Sequence, residues 1–289
     1  MTDVSTTPLP PHLYRFRTYG ATRALGNDKQ EVFELLAGRI RFSRLIDFND
    51  PFEGRPHAVP AFTDPGKQRR AVLKYSFDFY KQQGIPPGKA RKQAAAIVRG
   101  KSQSELVDLM GEKIIEMCRM DGVYLCCLSD QGALSNPLPW SHYSDSHRGV
   151  ALHFSTAHAP FSFALSVDYS EVYPEVIVPR NHQDPWEHVQ RMFFTKCILW
   201  RYEHEFRLMR VIWDMPERNP DAARLLVQWD GAVAIAHRNS VVGVTIGARM
   251  PETQRVELLA RIEAEFPHLE IWQASLHPTK YEIVSERIR

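Results

Sequence analysis

Two short stretches concentrate the side chains able to do chemistry. Leu138-Pro139-Trp140-Ser141-His142-Tyr143-Ser144-Asp145-Ser146-His147 and, further along, Trp200-Arg201-Tyr202-Glu203-His204-Glu205-Phe206-Arg207 each pack aromatic, acidic, basic and imidazole groups into a few positions. They read as two halves of one polar site. On a strand, side chains alternate, so Glu203, Glu205 and Arg207 share one face while Tyr202, His204 and Phe206 share the other. Two carboxylates side by side raise the pKa of one of them, and such a pair can bond a hydroxyl or steady a developing cation. The competing reading is a surface ladder in which Arg207 neutralises both.

His142, Asp145 and His147 form a His-x-x-Asp-x-His run whose donors suit zinc or manganese, with Asp50 or Glu53 as a further oxygen ligand. A metal-dependent phosphodiester hydrolase would follow. The spacing matches no helical His-Glu-x-x-His pair, so no metal is favoured. Phosphate-binding loops, Gly-x-Gly-x-x-Gly and Gly-x-Ser-x-Gly elbows are absent from the sequence. Cys118, Cys126, Cys127 and Cys197 lie in or beside apolar segments without a C-x-x-C pair, and read as reduced core thiols.

The elements that must position these groups fall into three sections. Leu13–Phe16 predicts a strand, Lys29–Ala37 a helix stopped by Gly38, and Ile40–Ser43 a second strand. Asn49-Asp50-Pro51 predicts a turn. Residues 66–120 predict a helical insertion, broken at Pro86-Pro87-Gly88 and restarted by a capping box at Ser102 and Glu105, with Leu106, Leu109, Met110, Ile114 and Met117 on one face. Strands are then expected at Val123–Leu128, Gly149–Phe154, Phe163–Tyr169, His204–Trp213, Ala232–Ala236, Val241–Ile246, Leu269–Ala274 and Tyr281–Val284. Helices are expected at Pro185–Phe194 and Pro251–Phe266. This is an α+β pattern, a largely antiparallel sheet core flanked by helices, forming one domain over 13–289 after a disordered segment 1–12.

The net charge of +2 hides an asymmetry. Between Lys67 and Lys101, ten Lys or Arg stand against Asp78 alone, leaving the rest of the chain acidic. That segment would attract a nucleic acid or an acidic partner, or would be a solvated helical face. The 44% hydrophobic content of the 289 residues is enough for a real core. No run of about 18 apolar residues is present, and the polar, Pro-rich start lacks a leader, which points to the cytoplasm and away from the membrane.

Leu13-Tyr14-Arg15-Phe16, Phe42-Ser43 leading into Phe48-Asn49-Asp50-Pro51-Phe52-Glu53, Trp140-Ser141-His142-Tyr143 with His147-x-Gly149-Val150, and Trp200-x-Tyr202-Glu203-x-Glu205-Phe206-Arg207 stand in one order. Together they resemble the bacterial domain-of-unknown-function family 2971 over nearly the whole chain apart from the insertion. Resemblance to that family names no activity. More remotely the arrangement resembles the ADP-ribosyltransferase superfamily, although no Ser-Thr-Ser motif stands on the middle strand. This resemblance implies NAD as substrate, with Arg15 holding the pyrophosphate and Ser43 among the cofactor contacts. It further implies Trp140 and Tyr143 packing the nicotinamide, Ser141 or His142 bonding the ribose, Glu205 stabilising the sugar cation and Glu203 orienting a nucleic-acid or protein acceptor. A non-enzymatic nucleic-acid- or protein-binding module stays open beside it.

Overall fold

The computed structural model describes residues 7–20, 28–119, 123–179, 191–211, 227–237 and 239–289. Its elements are β1 (His12–Arg17), α1 (Asp28–Leu36), β2 (Arg39–Arg41), β3 (Ser43–Arg44), β4 (His57–Pro60), α2 (Pro65–Gln82), α3 (Pro87–Val98), α4 (Gln103–Arg119), β5 (Val123–Ser129), α5 (Gln131–Ser135) and α6 (Pro137–Tyr143). There follow β6 (Val150–Ser155), β7 (Leu165–Ser166), β8 (Asp168–Ser170), β9 (Glu175–Val178), β10 (Thr195–Cys197), β11 (Glu205–Val211), β12 (Gln228–Asp230), β13 (Val233–Ile235), β14 (Val241–Ile246), α7 (Glu252–Glu265), β15 (Glu270–Leu276) and β16 (Ile283–Arg287). The fold is α+β. It divides into two compact units, residues 1–47, 123–169 and 198–289 forming the first and 48–122 and 170–197 the second. The helical segment thus belongs to a unit that also takes in 170–197.

The first unit holds a nine-stranded sheet in the order β16-β15-β14-β6-β1-β5-β11-β7, with β3 beside β5. β14 and β15 run parallel, linked through α7 as a parallel return requires, and the other pairings are antiparallel. Both faces are covered. Leu13, Leu152, Phe154, Leu128, Phe206, Val244 and Ile271 pack with Phe33 and Leu36 of α1 and Leu258 and Ile262 of α7. Phe16, Ala151, Ala274 and Ile283 carry the opposite face, under Ala133 of α5 and Trp140 of α6.

Several expected boundaries move for identifiable reasons. The strand expected at Ile40–Ser43 is split: β2 joins the small sheet β12-β13-β2, and after Phe42 the chain crosses to pair with β5. Around Phe163, a 3-10 turn over Phe161–Phe163 leaves only the short β7 and β8. The last strand starts at Ile283. The N-terminal segment is tied down earlier than expected, because Thr156 donates from its hydroxyl to Pro10 O and from its N–H to Pro11 O. Residues 1–6 lie outside the described residues, as do the Met117 side chain, residues 212–213 of the expected His204–Trp213 strand and most of the helix expected at Pro185–Phe194.

In the second unit, α2 packs on α3, and α4 packs on the parallel pair β4 and β9. Asp64 caps α2 by accepting the Lys67 N–H, and buried Gln68 clamps the helix to the strands through Val178 O and Phe62 N–H. The capping box forms as expected: Ser102 N–H donates to Glu105 and Glu105 N–H to the Ser102 hydroxyl. Arg69 spends its charge on the carbonyls of Val98 and Lys101, where α3 ends. No helix among the described residues is long and apolar enough to cross a membrane.

Candidate functional site

Register places four polar side chains in a row. Tyr14 of β1 stands opposite His153 of β6 and Ser129 of β5, and Ser129 stands opposite Glu205 of β11. Paired residues share a face, here the one that Trp140 covers. At one end of the row His153 is buried, its Nε2 2.7 Å from the Thr245 hydroxyl and its ring edge-on to Tyr14. Burial, and to a smaller degree the charge of His12, push its pKa down to about 3.

The folded state therefore keeps this imidazole neutral, whereas the unfolded chain protonates it near 6.5. Its lowered pKa leaves stability untouched above about pH 6.5 and removes up to about 1.4 kcal/mol per pH unit as pH falls below that. Urea unfolding at pH 7 and pH 5 is expected to show the loss in wild type and to show less of it in His153→Asn. An equal loss in both contradicts the assignment.

At the other end stand the paired carboxylates, and they part company. Glu205 and Arg207 are buried side by side, with Arg207 Nε 2.7 Å from Oε1 and Nη2 3.1 Å from Oε2 of Glu205. This forked pair lies inside the protein, so it is neither a surface ladder nor an open carboxylate. The Glu205 N–H donates to the Tyr169 hydroxyl at 2.9 Å. Glu203 is off the strand altogether: it closes a 3-10 helix over Ile198–Glu203, and Tyr143 of α6 donates its hydroxyl proton to Glu203 Oε1 at 2.6 Å. The break between them is His204, whose φ of 47° is left-handed and ends the alternation assumed for a continuous strand.

His204 is a site residue that sequence reasoning passed over. Its Nδ1 lies 3.4 Å from Asp130 Oδ1, and its backbone carbonyl accepts the Asp130 N–H. The ring sits against Gly132, where a Cβ would come within 2.9 Å of it and push the ring aside. With Nδ1 turned to a carboxylate, Nε2 on the far side of the half-exposed ring is left to accept a proton. Asp130 also helps burial raise the Tyr14 hydroxyl pKa. Nothing in the sequence marks this dyad, because its two members meet only through the Ser129–Glu205 register.

Around Tyr143 the rings gather. His142 lies 6.3 Å from Trp200 and 6.1 Å from Tyr202, and Trp200 and Tyr202 are 5.9 Å apart, centroid to centroid. His142 is exposed and the other two are half-buried. Such a shelf can take a planar heteroaromatic ring by stacking.

Other expected site residues go elsewhere. Arg15 faces the opposite side of the sheet from Glu205: its Nη1 bonds Cys126 Sγ at 3.3 Å and Arg41 O at 3.2 Å, and Cys126 pairs with Leu208 rather than with Arg207. Alternation along β1 dictates this, so Arg15 and Glu205 do not form one site. Ser43 shares the face of Glu205 but pairs with Leu125, four residues along β5 from Ser129, a separation of about 13 Å. Trp140 is fully buried against Phe16, with its indole N–H given to Leu134 O at 2.8 Å, and has no surface left for a nicotinamide.

Ser141 is held internally as well. Its hydroxyl lies 3.0 Å from Pro137 O and 3.1 Å from His147 Nε2. His147 Nδ1 is buried without a partner, so the ring proton belongs on Nε2, donating to Ser141 while Ser141 donates to Pro137. Burial, with Arg249 nearby, also lowers the His147 pKa, keeping it neutral. Asp145, Ser146 and His147 are three successive left-handed residues, and the His147 carbonyl passes so close to Gly247 that a Cβ there would meet it at 2.3 Å. The expected ligand triad does not converge: Asp145 pairs with Arg148 at 3.5 Å, His147 with Ser141, and His142 joins the rings. Among the described residues no three His, Cys, Asp or Glu side chains gather as metal ligands would. In the second unit Glu53 lies 3.5 Å from Lys196, and Asp50 accepts the Phe52 N–H.

Compared with family models, curated proteins and solved structures, the chain matches none.

Proposed function

We propose that the first unit is a cytoplasmic, NAD-dependent ADP-ribosyltransferase-like enzyme that needs no metal. The observation that carries the reading is the 2.6 Å bond from Tyr143 to Glu203, which ties a buried carboxylate to an accessible aromatic shelf. The nicotinamide ring stacks on His142, Trp200 and Tyr202. Exposed Arg201, on the same 3-10 helix, supplies positive charge to the pyrophosphate. Glu203, bonded to Tyr143 beside the rings, faces the sugar.

The bond between ribose C1′ and the nicotinamide nitrogen breaks, and its electron pair leaves with nicotinamide. Glu203 stabilises the oxocarbenium ion that remains. A hydroxyl of the acceptor gives its lone pair to C1′, and its proton passes to His204 Nε2, with Asp130 holding the ring. With water as acceptor the product is ADP-ribose. The test is nicotinamide release from NAD, with product masses read in parallel. Wild type is expected to release nicotinamide, and His204→Gln to do so on the order of 100-fold more slowly. Release no faster than in buffer overturns the proposal.

A further inference from the structure

We propose that the outward face of α2, in the second unit, binds the phosphate backbone of a nucleic acid, a reading independent of the site in the first unit. At about 100° per residue, Lys67, Arg70, Lys74 and Lys81 lie within about 60° of one another on the helix. Gln68, Val72 and Ser76 are buried on the opposite side. All four cations are exposed. The stripe is therefore set by the burial of the other face. At 1.5 Å per residue it runs about 21 Å.

Most of its charge is uncompensated. Lys74 pairs with Asp78 at 2.7 Å, and among the described residues Lys67, Arg70 and Lys81 have no carboxylate partner. Lys81 of α2 and Arg91 of α3 lie over the same Phe77 ring, at 5.7 Å and 5.9 Å from its centroid, which holds cations of both helices on one surface. Lys89 and Lys92 widen it, exposed on α3 while Ala90, Ala94 and Val98 are buried. Arg69 stands apart, because its guanidinium serves α3.

A regular polyanion fits this surface better than a folded acidic partner does. Three of the four stripe cations are lysines, compact point charges without a planar fork to select a carboxylate. A duplex carries one charge per about 1.7 Å of axis, so the stripe faces on the order of a dozen phosphate charges, more than enough to engage four side chains.

The experiment is titration of the full chain with a labelled duplex DNA of about 20 base pairs over about 50 to 200 mM salt. Four phosphate contacts give a slope near −3.6 in log K against log salt, so affinity is expected to fall about 100-fold across that range. The triple variant Lys67→Gln, Arg70→Gln, Lys81→Gln is expected to lower the slope by about 3, while Lys113→Gln on α4 lowers it by less than 1. Circular dichroism confirms that each variant folds. No binding at the lowest salt overturns the proposal, and so does a triple variant with the wild-type slope. Displacement of the duplex by polyglutamate at matched charge concentration overturns it in favour of an acidic protein partner.

Discussion

Replacing Arg207 by Met is expected to destabilise the first unit by about 3–5 kcal/mol, because it takes from the buried Glu205 carboxylate the guanidinium that grips both its oxygens. Arg207 is entirely buried and its fork closes on Glu205 through two bonds, so water cannot take over the lost contacts. The pair also sits on β11 next to β5, where any rearrangement has to move the sheet. Glu205→Gln alone is expected to cost a similar amount, since it removes the negative charge that grips the buried guanidinium through two bonds. The double variant Glu205→Leu, Arg207→Met removes both charges and is expected to recover most of the loss. Urea unfolding of the three variants decides it. A double variant as unstable as the sum of the singles would show that the two side chains do not act as a pair.

Glu203→Gln is expected to reduce nicotinamide release at least about 100-fold while leaving the fold intact. The change keeps the shape and the bond from Tyr143 but removes the negative charge that steadies the sugar cation. Tyr143→Phe separates positioning from charge: Glu203 keeps its carboxylate but loses its 2.6 Å donor. It is expected to give a drop of about 10-fold, mostly in kcat. Equal rates in wild type and Glu203→Gln remove Glu203 from the chemistry, and a Glu205→Leu, Arg207→Met enzyme that still turns over confirms that Glu205 is structural.

The elements were legible in the sequence where local chemistry dictates them. The alternating Leu13-Tyr14-Arg15-Phe16 run makes a strand, Gly38 at a φ of 78° ends α1, and Ser102 with Glu105 starts α4. The two motifs bring Tyr143 to Glu203 and His142 to Trp200. Motif order misplaced Arg15, because both faces of the sheet are covered and hydrophobic alternation then does not say which face carries the site. It put Glu203 beside Glu205 because a left-handed His204 leaves no trace in residue type. Trp140, rich in chemical promise as a residue, is a core anchor, and only packing decides between those roles.

The measurement that bears most directly on the account is calorimetric titration of the full chain with NAD, repeated on Trp200→Ala and Arg15→Met. Wild type is expected to give saturable heat, Trp200→Ala to lose at least about 10-fold in affinity through the missing stacking surface, and a folded Arg15→Met to keep its affinity. Absence of heat in wild type at millimolar NAD, or an affinity that depends on Arg15 and not on Trp200, contradicts the proposed NAD site.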